Sequence, residues 1–184
     1  MSIPPEDHHS AVITRHSDAG RMGKAVEHLV AASCIITSRA ELNVSTSLVD
    51  DEGVDLVFFR RGGTTTLAVQ VKSRMTDASP LPRGRYQAAV RHQTFRSRRD
   101  LYMLFVAVDP SSATITVCWW IPSEEFERIA HQRGARLRWS FVAAMSRTAN
   151  DQWSSYRVDW GELPTRILSA LGAPKASAGG TGPL

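Results

Sequence analysis

The sequence predicts a single α/β domain over residues 19–172, a β-sheet flanked by helices, set between a flexible N-terminal arm (1–18) and a disordered tail (173–184). Three observations carry this reading. Short β-branched and aromatic runs of strand length recur along the chain, bounded by Gly, Pro and Asp turns. Between them lie segments whose apolar residues return every three to four positions, as a helix requires. The 184 residues, 42% of them hydrophobic, suffice for one sizeable core.

Taken in order, residues 1–18 are polar, with Pro4–Pro5 and scattered histidines; the spacing of His8, His9 and His16 fits no rigid metal site. A first helix is expected from Arg21 to Thr37, with Val26, Leu29, Val30, Ser33 and Ile36 along its inner side. Glu27 flanks that stripe, roughly 100° from Val26 and about 60° from Val30. Leu42 to Leu48 alternates as a strand, and the turn Val49–Gly53 leads into a hairpin. Its strands are Val54–Phe59 and Leu67–Val71, joined through Arg60–Arg61–Gly62–Gly63. A loop at Ser79–Pro82 precedes a short basic helix over Tyr86–Ser97. Leu101–Val108 and Thr114–Ile121 form two more strands, turned at Asp109–Pro110. Pro122 and Ser123 open a helix over Glu124–Gln132. Leu137–Val142 and Tyr156–Val158 read as short edge strands, and Asp159 caps a last helix, Glu162–Leu171, that ends at Gly172. There is no internal repeat.

Several classes are disfavoured. No apolar run approaches the ~20 residues of a membrane span. The start, MSIPPEDHHS, lacks the basic and apolar regions of a secretory signal. Cys34 and Cys118 both sit in apolar segments and read as small core residues in a reducing compartment. A cytoplasmic protein is expected. Trp119 and Trp120 are adjacent on a strand and must face opposite ways, one of them into the core. The other, with Trp139 or Trp153, packs in a core or interface, or stacks on a base.

The hairpin holds the most informative residues. Gln70 and Lys72 share a face with Ala68, while Leu67, Val69 and Val71 point the other way; on the first strand Asp55 shares its face with Val57 and Phe59. A carboxylate, an amide and an ammonium thus occupy strands that otherwise look buried, where an unpaired polar group costs several kcal/mol. The plain alternative is that Lys72 ends its strand and snorkels to water, with Asp55 as a partial ion-pair partner.

Asp, a glycine-containing turn, then Gln-x-Lys resembles the core motif of the PD-(D/E)XK nuclease superfamily, in the variant with glutamine replacing the second acid. GKAVEHLVAAS (Gly23–Ser33) is similar to the first helix of its resolvase-like and restriction-endonuclease-like members, with Glu27 matching a site-facing glutamate. The resemblance spans about residues 20–125 and includes IPSEEFERI (Ile121–Ile129), similar to a segment of uncharacterised members. It implies a central mixed sheet flanked by helices, the restriction-endonuclease-like core. It also implies hydrolysis of phosphodiester bonds in DNA with Mg²⁺ (or Mn²⁺) as cofactor. Asp55, the Gln70 oxygen and the Val71 carbonyl would be metal ligands, with Glu27 holding a metal-bound water or a second ion. Lys72 would orient or deprotonate the attacking water. Asp50, Asp51 and Glu52 read as turn residues, one of which would assist a second metal. The glutamine removes one negative charge and should weaken cation binding, so a catalytically inactive, nuclease-fold DNA-binding or assembly subunit is the rival reading.

Charge location supports a nucleic-acid partner. The formal net charge is +4, from 22 basic and 18 acidic residues. Lys72 to Arg99 holds 8 basic residues against one acid, Asp77, leaving 14 basic and 17 acidic for the rest of the chain, a net of −3. Besides Lys72 these are Arg74, Arg83, Arg85, Arg91, Arg96, Arg98 and Arg99, and arginine suits bidentate contact with phosphate oxygens. A solvated face is the alternative, as is a protein-binding module for an acidic partner. No separate recognition domain is visible, which leans toward structure recognition, partner-supplied specificity or a homodimer.

Overall fold

The computed structural model describes residues 8–46, 53–78, 84–133 and 138–172; the side chains of residues 8–17 and 133 lie outside that description, as do the expected turn acids Asp50, Asp51 and Glu52, Arg83 and the tail. In chain order the elements are α1 (His8–Thr37), β1 (Leu42–Thr46), β2 (Leu56–Arg60), β3 (Thr66–Met75), β4 (Arg85–Arg91), β5 (Leu101–Asp109) and β6 (Thr114–Pro122). There follow α2 (Ser123–Ile129), β7 (His131–Arg133), β8 (Arg138–Ala144), β9 (Arg157–Val158) and α3 (Leu163–Leu171).

The architecture is mixed α/β. Six strands form one sheet in the order β1-β2-β3-β5-β6-β9, and three form a second, β4-β8-β7. β3 and β5 run parallel, and the other neighbours run antiparallel. β5 is apolar almost throughout and buried on both faces, as a central strand must be. One face of the large sheet packs on α1 and α3: Val26, Val30 and Cys34 meet Leu56, Phe58, Val69, Val71, Ile167 and Leu171. The other face is covered by the second sheet and α2, through Tyr86, Phe105, Trp119, Phe126, Phe141 and Trp153. The Phe105 and Phe141 rings stack there with centroids 3.8 Å apart. The alternation along β3 therefore sends Leu67, Val69 and Val71 to the helices, and Gln70 and Lys72 toward the second sheet.

Four expectations need correction. α1 begins at His8, well before Arg21, because no proline follows Pro4–Pro5 until the helix has ended; most of the expected arm is thus helical. Its buried stripe is Val26, Val30 and Cys34 at i, i+4 and i+8, which turns Ile36 outward to 75% exposure. Tyr86–Ser97 is not a helix. Residues 85–91 form β4, with Tyr86, Ala88 and Val90 buried and Arg85, Gln87, Ala89 and Arg91 exposed, a period of two that the alanines disguise. α2 stops at Ile129, since Ala130 turns extended (φ −69°, ψ 146°), and His131–Arg133 pairs with β8 instead of completing the helix.

Trp119 and Trp120 do face opposite ways, and both are buried, one in each core. Cys34 and Cys118 are buried free thiols. No described helix is long and apolar enough to cross a membrane.

Candidate metal and phosphate site

β2 and β3 pair from Leu56↔Val69 to Phe59↔Thr66. β3 continues to Met75, so its C-terminal half outruns β2 and would leave backbone donors bare on that edge. Asp55 fills the gap. Its own N–H donates to the Val69 carbonyl (2.9 Å), and its Oδ2 accepts from the Val71 N–H at 2.7 Å. The carboxylate is thereby held against the backbone of the Gln70–Val71–Lys72 tripeptide. A strand residue directs its N–H and C=O to the same edge, so the Val71 carbonyl faces the side on which Asp55 sits.

Gln70 is 4% exposed, and with Ser123 it makes up the buried polar side chains among the described residues. The two differ. Ser123 Oγ accepts from the Arg98 N–H and donates to the Arg98 carbonyl. The Gln70 carboxamide has no hydrogen-bond partner among the described residues. It is confined by Gly53, whose positive φ (+67°) lets the main chain pass so close that a Cβ there would lie 2.5 Å from Gln70 Nε2; Thr94 lies beyond. Lys72, two residues on and on the same face, is half-buried, and its ammonium has no acceptor among the described residues. Its carbonyl accepts from the Tyr86 hydroxyl at 2.5 Å, which pins β4 over β3. Burial pushes the Tyr86 hydroxyl far above its ordinary pKa, so it stays a donor.

Glu27 stands apart. Its α1 neighbours Val26 and Val30 pack on the helix-bearing face of the sheet, opposite Gln70 and Lys72. Its carboxylate is 14% exposed and pairs with Lys24 at 2.7 Å, with no hydrogen bond to Asp55, Gln70 or Lys72. One turn earlier on α1, Met22 and Gly23 join Asp18, Ser73, Arg74 and Met75 around a groove of about 290 Å³ at the end of β3.

The chemistry of the donor set fits a hard divalent cation: the Asp55 carboxylate, Gln70 amide oxygen and Val71 carbonyl are all oxygen donors. Among the described residues no group of three His, Cys, Asp or Glu side chains gathers anywhere, and of the described donors at this edge Asp55 carries the negative charge.

The basic residues divide by how they are held. Arg74 is exposed and its Nε donates to the Gln87 carbonyl (2.9 Å). Arg85 and Arg91 point outward from β4. Arg96 donates to the His92 and Phe95 carbonyls, closing the turn after β4, and Arg98 pairs with Asp100 at 3.0 Å; Arg99 is exposed. Gly53 and Thr94 are the site residues that sequence reasoning passed over. Their one signal is that a glycine precedes Asp55 by two positions, where the chain must swing back against β3.

No protein-family model matches the chain, and no curated protein matches it. Among solved structures, it is similar to the bacterial homing endonuclease I-Ssp6803I, at 18% identity and a TM-score of 0.47, over 79% of this chain and 91% of that one.

Proposed function

We propose that this protein is a metal-dependent endonuclease that hydrolyses phosphodiester bonds in DNA, using a PD-(D/E)XK-type site in its Gln-x-Lys form. The observation that carries the reading is the pair beside Asp55: a carboxamide only 4% exposed and a half-buried ammonium, neither hydrogen-bonded to another described residue. Polar side chains this close to a core are nearly always bonded, so a pair without protein partners leaves room for water, an ion or a ligand. Asp55, Gln70 and the Val71 carbonyl would hold Mg²⁺ or Mn²⁺. When bound, the cation supplies Lewis-acid polarisation of the phosphoryl oxygen. Lys72 orients the attacking water and offsets the charge that grows on the phosphate in the transition state. Asp55 does double duty, since its bond to the Val71 N–H fixes the strand that presents the other ligands. Gly53 and Tyr86 hold Gln70 and Lys72 in place. The basic residues from Arg74 to Arg99 grip the DNA backbone.

A second reading has its own support. Asp55 already accepts a backbone bond, Glu27 is engaged by Lys24, and Gln70 brings no charge. An inactive DNA-binding or assembly subunit with a nuclease fold would look the same in these respects. The test is metal titration with nicking assays on wild type, Gln70→Glu and Lys72→Ala. An enzyme cuts with Mg²⁺ or Mn²⁺, stops with chelator, loses cutting in Lys72→Ala while still binding DNA, and binds metal more tightly in Gln70→Glu. A wild type that binds no metal and nicks no DNA, together with a Gln70→Glu that is merely destabilised, establishes the inactive subunit.

A further inference from the structure

The second sheet carries a feature that its packing role does not require. Its inner face is apolar and closes the aromatic core. Its outer face is set by register: Arg91 lies directly across from Arg138, Ala89 from Ser140, Gln87 from Val142 and Arg85 from Ala144, with His131 beside Ser140 and Arg133 at the position next to Arg138. Paired residues share a face, so Arg91 and Arg138, both exposed, stand side by side across two strands. None of the three strands contains an aspartate or glutamate. Arg85, Arg91 and Arg138 have no carboxylate partner among the described residues. Like charges directly opposite on a sheet are destabilising, so the free protein gains nothing from this pairing.

We infer that the outer face of β4 and β8 is a docking surface for duplex DNA, with Arg91 and Arg138 on backbone phosphates and Arg85 extending the contact. This rests on the nuclease reading and deepens it by adding Arg138, from a distant part of the chain, to the DNA surface. Two observations tie the face to the candidate site. Arg74, two residues beyond Lys72 on the same side of β3, reaches the Gln87 carbonyl of β4. Thr94, beside Gly53 and Gln70, lies in the turn that directly follows Arg91, where Phe95 N–H bonds the Arg91 carbonyl. Arg74 thus links the end of β3 to β4, whose outer face holds Arg85 and Arg91 and, across on β8, Arg138. The occupant is DNA because the surface rests on the nuclease reading, and the RNA duplex serves as the comparison.

The experiment compares the full chain with Arg91→Gln, Arg138→Gln and the double variant, binding duplex DNA from 50 to 200 mM salt without divalent cation, with thermal unfolding measured in parallel and same-sequence duplex RNA as a second ligand. The expected result is opposite signs: binding weakens for every DNA sequence and the log–log salt slope falls by about 1.8 in the double variant, at about 0.9 per phosphate contact. The DNA-free midpoint of unfolding stays level or rises at low salt, because the repulsion is gone. A purely structural pair would lower the midpoint instead. Wild-type binding and cutting with an unchanged slope in the double variant overturns this inference and leaves the nuclease reading intact. An effect as large on RNA overturns the assignment to DNA. A wild type that neither binds nor cuts DNA overturns both.

Discussion

On the proposed reading Asp55 has two jobs that substitution can separate. Its Oδ2 accepts the Val71 N–H at 2.7 Å, and its charge is the one carboxylate the described ligand set offers. Asp55→Asn keeps an acceptor oxygen, so it should fold nearly normally while losing metal binding and cleavage. Asp55→Ala should also lose stability, about 1.5–3 kcal/mol for a bond to a charged group. Urea unfolding of both variants checks this, and equal destabilisation would show that the hydrogen bond is inert. Gly53→Ala meets two obstacles at once: a φ of +67° and a Cβ 2.5 Å from Gln70 Nε2. The backbone conformation alone costs on the order of 1–3 kcal/mol, and the clash should displace Gln70, lowering metal affinity along with stability. The thiols give a pH signature. Burial pushes both Cys34 and Cys118 up to about 12 from a reference of 9.0. A pKa raised on folding contributes stability that is fully present below the unfolded value and is lost as pH rises through the folded one. Unfolding free energy should therefore fall between about pH 9 and 12, and less steeply in Cys34→Ala. At neutral pH a thiol reagent should label neither cysteine faster than the chain unfolds.

At the scale of elements, what the sequence announced depended on periodicity. The hairpin strands, β5, β6 and α3 were legible because each obeys one period and is bounded by Gly, Pro or Asp. The motif was legible for the same reason: polar residues stand out only where the background is uniformly apolar. β4 was misread because Ala88–Ala89 weakens the contrast between its faces, and β7 because three residues carry no period at all. No local pattern could reveal that β4 leaves the main sheet, pairs with β8 more than forty positions on, and lays Tyr86 over β3. That contact is testable. Tyr86→Phe removes the bond to the Lys72 carbonyl and leaves a partly buried acceptor behind, which costs about 1–3 kcal/mol. Because the bond joins the two sheets beside the site, cleavage should fall more than Tyr86 burial alone explains. A Tyr86→Phe variant with wild-type stability and cleavage would show that the aromatic packing of Tyr86 against Phe105, Trp119 and Phe141 suffices to position β4.

The molecule as a whole separates charge from core. Its excess positive charge follows Lys72, on β3, β4 and the turn beyond, while the remaining chain is slightly acidic. Binding to DNA should therefore depend chiefly on this region, with Arg138 added from β8, and fall steeply with salt. The contacts within it should not be equal. Arg96 is already bonded to two carbonyls and Arg98 to Asp100, so each must give up or share an internal partner to reach a phosphate. Arg99 and Arg74 are exposed, and Arg74 keeps its terminal nitrogens outside its bond to Gln87. Replacing Arg96, Arg98 and Arg99 together by glutamine should weaken binding to all duplex sequences alike. The salt slope, however, should drop by less than the ~2.7 that three full phosphate contacts would give. Arg99→Gln alone should account for about 0.9 of it, and Arg96→Gln should cost some stability through the loosened turn. Titrations at several salt concentrations, on the triple variant and each single variant, decide the matter. Affinity unchanged in the triple variant would make this run a solvated face, and would move the DNA surface onto β4 and β8.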